Sequence, residues 1–358
     1  MPSQTDWLES LSPWPEEFGL DRMRAMLAEL GDPQSAYPAI HLVGTNGKST
    51  ATRRAAAFLL REGLSVGAYT SPHVRSWSER IRVGGAEADF EAAVARIREP
   101  AERVGATQFE ALTAAAFAEF AARQVDAAVV EAGLGGRLDA TNVIDAPVVV
   151  LTNVSLDHVD VLGDSRERIA AEKLAVVAPG ATVILGEGEW EELARANGAG
   201  RVVEVEDVAR AAAECLLGRK LGGDVEAALP GRLEFHGDDV FAGAHNPAGV
   251  EWLLRRLPRD DYVICASILA DKDARSMLAA LVGAGRSFVA TRAETERTLE
   301  PDELARLARE YFADVESVPD AGMALERARE LAGPEGAVLV TGSLYLLRDL
   351  FGRLEPVR

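Results

Sequence analysis

Short Val-, Ile- and Leu-rich runs alternate along this chain with longer Ala-rich stretches whose apolar positions recur at helical spacing. That alternation predicts an α/β protein with mainly parallel strands. Over residues 16–30, Phe18, Leu20, Met23, Met26, Leu27 and Leu30 fall on one helical face, and the pattern stops at Gly31-Asp-Pro33. A short apolar run then breaks into Gly44-Thr-Asn-Gly-Lys-Ser-Thr50. Residues 51–62 follow as a strong helix former closed by Gly63, and 65–70 read as a strand. Strand, glycine-rich turn, helix, strand is a βαβ unit. The polar segment 71–80 is too long for a tight turn and stands where loops carry function.

Further helices are predicted at about 88–103, 109–123, 164–177 and 207–217, and strands at 125–131, 147–153 and 181–185. The Gly- and Glu-rich stretch 186–200 has a weak pattern and reads as surface. Residues 218–229 read as a linker. From Pro230 a second α/β pattern begins, with strands at 262–268, 287–291 and 337–341 and helices at about 248–257, 273–283, 301–312 and 320–332. No repeat of fixed period is present. The expectation is an N-terminal P-loop-type ATPase domain, 1–227, with a mainly parallel sheet, and a smaller C-terminal α/β, Rossmann-like domain, 228–358.

Composition narrows the partners. The formal charge of −19 over 358 residues repels nucleic acid and anionic lipid as main partners. Anionic ligands must be drawn in locally, by Lys48, arginines and metal. Cys215 and Cys265 have no paired spacing and read as small residues of a reduced interior. The polar N-terminus has no signal-peptide pattern and no apolar run is long enough to span a bilayer, so a cytoplasmic protein is expected.

A strand ending in a glycine-rich turn that feeds a helix aims backbone N–H groups at one point, where phosphate binds. The string Gly44-Thr45-Asn46-Gly47-Lys48-Ser49-Thr50 is shorter than the common G-x-x-x-x-G-K-[ST], because Leu42 stands where the first glycine would be. Other strand ends add chemistry. Ser71 follows the second strand, Glu131 ends a third and His158 follows a fourth. In an open parallel sheet these carboxyl ends share one edge, and such donors suit Mg²⁺ shared with substrate phosphates. Taken alone, His158 reads more readily as part of a polar network than as a ligand, Glu131 reads either way, and Lys173 reads as an exposed helix lysine.

The phosphate-loop string resembles that of the Mur ligase superfamily. Tyr69-Thr-Ser-Pro-His73 with Glu79-Arg-Ile-Arg82, Phe109 to Phe117, Glu131-Ala-Gly-Leu-Gly-Gly-Arg-Leu-Asp-Ala-Thr-Asn142 and Leu156-Asp-His-Val-Asp160 narrow the resemblance to the folylpolyglutamate synthase/dihydrofolate synthase family. Pro230-Gly-Arg232, Gly243-Ala-His-Asn-Pro247, Leu269-Ala-Asp-Lys-Asp273 and Thr341-Gly-Ser-Leu-Tyr345 extend it into the second domain. The resemblance implies an ATP-dependent ligase that adds L-glutamate to dihydropteroate or folate through an acyl phosphate, as a monomer. It implies ATP and two Mg²⁺ ions, with K⁺ as a further candidate. Gly44 to Thr50 and Arg232 would bind ATP, with Lys48 on the β- and γ-phosphates. Ser71, Glu131 and His158 would hold metal. Lys173 matches a lysine that the family can carry as a carbamate, which would bind the second ion. His245 is the candidate base, and Asp271 and Ser343 the candidate substrate contacts.

Three departures stand out. Ala242 occupies the place of the family's acidic residue before Gly-Ala-His-Asn-Pro. The segment 186–207 is short and lacks the asparagine that positions adenine. Ser49-Thr50 replaces Gly-Ser. Two alternatives stand beside this reading: another Mur-superfamily ligase, against which only 43 residues precede Gly44, and a degenerate nucleotide-binding protein, against which Lys48, Ser71, Glu131 and His158 all stand.

Overall fold

The computed structural model describes residues 3–352. It divides into two compact units, the first running to Ala228 and the second starting at Leu229.

The first unit runs α1 (Gln4–Ser10), α2 (Asp21–Glu29), β1 (Ala39–Val43), α3 (Lys48–Arg61), β2 (Val66–Tyr69), β3 (Ile81–Val83), β4 (Ala86–Glu87), α4 (Phe90–Val104), α5 (Gln108–Ala122), β5 (Ala127–Glu131), β6 (Val148–Leu151), α6 (Val159–Leu162), α7 (Arg166–Leu174), β7 (Thr182–Leu185), α8 (Glu191–Ala196), β8 (Arg201–Glu204) and α9 (Val208–Leu217). Its 8-stranded sheet has the order β4-β3-β2-β5-β1-β6-β7-β8. Every pairing is parallel except those of the β3–β4 hairpin on β2. All residues of β1, β5 and β6 are buried, so these strands read as apolar runs, interrupted only by His41 in β1 and closed by Glu131 in β5. Alternation sorts their faces. Ile40 and Leu42 pack with Phe58 and Leu59 of α3 and Ala212 of α9. Ala39 and Val43 pack with the core that holds Leu112, Phe117 and Ile169 of α5 and α7.

The second unit runs β9 (Glu234–His236), β10 (Asp239–Phe241), α10 (Pro247–Leu254), β11 (Val263–Ala266), α11 (Ala274–Leu281), β12 (Ser287–Ala290), α12 (Pro301–Ala308), β13 (Asp314–Ser317), α13 (Ala321–Ala332), β14 (Val338–Thr341) and α14 (Leu344–Phe351). Its 6-stranded sheet, β13-β12-β11-β14-β10-β9, is parallel but for the β9–β10 hairpin.

Several expectations need correction. The helix expected at 16–30 is α2 alone, because Pro13, Pro15 and Gly19 break the segment before it, leaving Trp14 and Phe18 about half exposed. The stretch 186–200 is not all surface: Trp190 and Ala194 are buried, and the chain goes on to form the edge strand β8. The start of the expected linker is fastened to α3. Arg61 donates to the Gly222 carbonyl at 2.7 Å and Arg54 pairs with Asp224 at 2.8 Å.

Candidate active site

The strand order sets the site. β2, β5, β1 and β6 are consecutive in the sheet. Ser71, Glu131, the phosphate loop and the His158 loop therefore leave neighbouring strands at the same carboxyl edge, as ligand sites in such sheets do.

At the loop itself, α3 starts from Gly47 in the left-handed conformation with no side-chain cap. By contrast α4, α5, α7 and α9 are capped by Asp89, Thr107, Ser165 and Asp207. Without a side-chain acceptor, the first-turn N–H groups of α3 and its positive dipole end suit a phosphate. The loop is stitched to the chain after β6. Thr45 N–H donates to Asn153 O at 2.9 Å, Asn46 N–H to Asn153 Oδ1 at 2.9 Å, and Thr152 Oγ1 and Asn153 Nδ2 to Asn46 O at 2.7 and 3.0 Å. Ser155 N–H donates to Thr45 Oγ1 at 3.0 Å.

Two lysines converge on this loop. Lys48 Nζ lies 3.0 Å from Gly44 O and 3.3 Å from Thr45 O, and Lys173 Nζ lies 2.8 Å from the same Gly44 O. Lys173 is only 4% exposed, so its reading as an exposed helix lysine is wrong. Burial first, and the nearby Lys48 charge second, push its ammonium down to about 7. The Gly-rich loop after β5 covers this part of α7. A Cβ on Gly136 would stand 2.6 Å from Lys173 O and 2.7 Å from Glu172 O, so only glycine permits the approach.

Beside the lysines sits a buried carboxylate. Glu131, 1% exposed, accepts from Ser49 Oγ at 2.9 Å and from Ser71 N–H at 3.0 Å. The loop holding Ser71 is organised by Glu79, which accepts from the N–H groups of Val74, Arg75 and Ser76. His158 reaches the same edge from β6, as the left-handed N-cap of α6 (φ 51°), with its own N–H on Asp157 Oδ1 at 3.0 Å. Among the described residues no three His, Cys, Asp or Glu side chains form a ready metal cluster. One buried carboxylate, two serines and one histidine on an adjacent loop fit a hard divalent ion that takes its remaining oxygens from phosphate and water.

Sequence reasoning missed one network here. His41 of β1 is fully buried, and Nε2 lies 2.8 Å from Thr141 Oγ1, which donates to the buried Asp139 at 2.5 Å. Burial lowers His41 to about 3 and raises Asp139. The single polar residue within an apolar strand was its only signal.

In the second unit, His245 Nδ1 donates to Gly243 O at 3.0 Å, which leaves the lone pair of the neutral ring on Nε2. Asn246 caps α10. Asp271 pairs with Arg297 at 2.8 Å and lies 3.5 Å from Lys272; these contacts hold its carboxyl below the ordinary value against the upward push of burial. Ser343 is 1% exposed and caps α14 through Tyr345 N–H at 3.1 Å, so its hydroxyl serves the helix. Ala242 lies within the apolar core. Arg232 lies inside the turn in which Gly231 N–H donates to Glu234 Oε2 at 3.0 Å.

The sheet with its phosphate loop and the second α/β unit both match Mur ligase families. The Mur ligase middle domain family matches residues 42–212, and the Mur ligase, glutamate ligase domain family matches 231–344. Dihydrofolate synthase/folylpolyglutamate synthase of Mycobacterium tuberculosis is 33% identical, over 95% of this chain and 92% of that protein. The Escherichia coli enzyme of the same name is 31% identical, over 99% and 96%. The chain belongs to the dihydrofolate synthase/folylpolyglutamate synthase family. Solved structures agree. M. tuberculosis folylpolyglutamate synthase complexed with ADP and AMPPCP superposes with a TM-score of 0.88 at 30% identity, covering 98% of both chains. The E. coli protein in complex with DHPP and ADP gives 0.86 at 29%, covering 98% and 97%. A bifunctional synthase with Mn, AMPPNP and L-glutamate bound gives 0.86 at 26%, covering 99% of both. The two sequence alignments run over 447 and 408 positions against the 358 residues of this chain, so both relatives carry residues that have no counterpart within it.

Proposed function

We propose that this chain is an ATP-dependent ligase that joins L-glutamate to the free carboxylate of dihydropteroate or of a folate. The observation that carries the reading is the meeting of Lys48 and Lys173 on Gly44 O, beside the buried Glu131–Ser49–Ser71 group. Positive charge for phosphate and oxygen donors for a metal thus stand at one sheet edge. The names and ligands of the relatives supply the substrate class.

A carboxylate is a poor acyl donor, because its leaving group would be oxide. Transfer of the γ-phosphoryl group of ATP to it makes phosphate the leaving group. The neutral amine of glutamate then attacks the acyl carbon, and the tetrahedral adduct expels phosphate. In this reading Lys48, the N–H groups at the start of α3 and the Ser49 and Thr50 hydroxyls hold the β- and γ-phosphates. Glu131, Ser71 and His158 would hold Mg²⁺, which when bound neutralises charge on the phosphoryl oxygens. Lys173, as a carbamate, would hold a second ion. Arg232 serves ATP. His245 Nε2 accepts the amine proton, Asp271 contacts substrate, and Ser343 fixes the start of α14 on the substrate side. The enzyme is taken as a cytoplasmic monomer with small-molecule partners only.

The test is purified protein with ATP, Mg²⁺, glutamate and either dihydropteroate or a reduced folate, read by mass. Gain of one glutamyl unit is expected, and Lys48→Ala and Glu131→Ala should each abolish it. ATP binding without product on any of these acceptors would overturn the reading.

A further inference from the structure

The segment 152–155 is held from two sides. On one side it carries the phosphate loop, through the bonds of Thr152, Asn153 and Ser155 to Thr45 and Asn46. On the other side a side-chain pair grips Val154 by both of its main-chain groups. Val154 N–H donates to Glu187 Oε2 at 3.0 Å, and Arg166 Nε donates to Val154 O at 2.9 Å. The pair closes on itself, Arg166 Nη2 to Glu187 Oε2 at 3.1 Å. The same Glu187 oxygen also accepts from Trp190 Nε1 at 3.0 Å. The buried Trp190 ring stacks under the Arg166 guanidinium, whose centre lies 5.2 Å from the ring centroid. A second Arg166 contact, to Glu189 at 2.5 Å, keeps the guanidinium oriented.

This grip is local to a region where the chain departs from its family, the short segment after β7. Gly186 makes it geometrically feasible: a Cβ there would stand 2.1 Å from Thr152 O, so only glycine lets the end of β7 approach this closely. Surface ion pairs contribute little by themselves. This one has another use, since each partner satisfies a main-chain group of the buried Val154. Four residues further on stands His158, at a left-handed φ that a non-glycine residue adopts only when its surroundings hold it there.

We infer that Arg166 and Glu187 are positioning residues for the nucleotide end of the site: by holding Val154 they set the phosphate loop on one flank and the His158 loop on the other. The inference rests on the proposed reading only for what the bound nucleotide is used for. Neither side chain is assigned to nucleotide or metal. The pair acts through residues 152–158, so its loss should weaken nucleotide binding more than it slows chemistry once nucleotide is saturating.

The test measures Mn²⁺·AMPPNP affinity of the full chain by calorimetry, without turnover, next to thermal melts and steady-state kinetics. Glu187→Ala and Arg166→Ala should each weaken binding about tenfold, the loss of one charge-assisted hydrogen bond. The double variant should fall within about threefold of the weaker single, because the two residues are paired with each other and act through one residue, Val154. Glu187→Gln keeps an oxygen for the Val154 N–H and should recover most of the affinity, which also keeps the test alive if Glu187→Ala does not fold. KM for ATP should rise with kcat within about twofold. Arg195→Ala, which removes an exposed pair on α8, is the control and should bind as wild type. Wild-type affinity in Glu187→Ala with a lowered melting temperature would overturn the inference, since the grip would then be structural only. Fully additive losses in the double variant would overturn it too. If the wild type binds nucleotide but ligates no glutamate, the proposed function fails while the binding comparison still decides the grip; a wild type that binds no nucleotide overturns both.

Discussion

Lys48 and Lys173 address one acceptor: their ammonium groups lie 3.0 and 2.8 Å from the carbonyl oxygen of Gly44. Two like charges on one carbonyl are stable only if one is easily lost or an anion joins them. Both answers serve a nucleotide site, and they separate the two lysines by role.

Lys173 is the one that gives up its proton. Burial and Lys48 bring it down to about 7, so the neutral amine, the form that combines with CO₂, predominates above that pH. With ¹³C-bicarbonate, a carbamate carbon signal should be present at about pH 8 and fade as pH falls through 7. Lys173→Ala should lack the signal. A wild-type spectrum without it at any pH would remove the carbamate from the mechanism.

Glu131→Gln keeps the shape of the side chain, an oxygen for the Ser71 N–H and an amide N–H that the Ser49 hydroxyl can accept, but removes the charge. Melting temperature should hold within a few degrees. Mn²⁺ affinity, read by electron paramagnetic resonance with AMPPNP present, should drop, and ligation should fall by about 100-fold or more. Unchanged Mn²⁺ affinity would mean the ion sits elsewhere.

Gly136→Ala places a methyl group against the carbonyls of Glu172 and Lys173, at 2.7 and 2.6 Å. Backbone must move, at a cost of about 1–3 kcal/mol, and Lys173 moves with it. Gly222→Ala, where nothing lies within 4 Å, is the matched control. Urea unfolding of the two variants side by side checks the difference.

His41 makes stability depend on pH. The unfolded chain takes up a proton below about 6.5, while the buried imidazole refuses it until about 3. Its contribution is therefore complete above 6.5 and is lost as pH falls between these values. By pH 5 the loss amounts to about 2 kcal/mol. His41→Asn, which can still meet the Thr141 hydroxyl, should flatten that part of the curve. Urea midpoints at several pH values give the comparison.

Ser343→Ala removes the cap of α14 and should cost about 1 kcal/mol of stability. KM for glutamate should stay within about threefold, because the hydroxyl is engaged by Tyr345 N–H; a larger rise would show that it also faces substrate.

Much of this was legible in the chain because the central strands are buried on both faces. Such strands read as plain apolar runs, and Glu131 at the end of Val-Val-Glu is conspicuous for that reason. The edges were not legible. β4 has 2 residues, β3 and β9 have 3 each, and β8 and β13 alternate too weakly to stand out. Lys173 was invisible as a buried group, since its burial comes from a loop some 35 residues earlier folding back over α7. Arg166 and Glu187 look like two more surface charges among many until Val154 is placed between them.

The position of β1 also has a consequence for biosynthesis. Its two neighbours, β5 and β6, are both made long after it, and the bonds that hold Thr45 and Asn46 come from residues 152–155. As the chain leaves the ribosome, more than 100 residues separate the phosphate loop from the partners that give it shape. The loop is thus translated well before the segment that gives it shape, and the wait is set by strand order, with loop sequence playing no part.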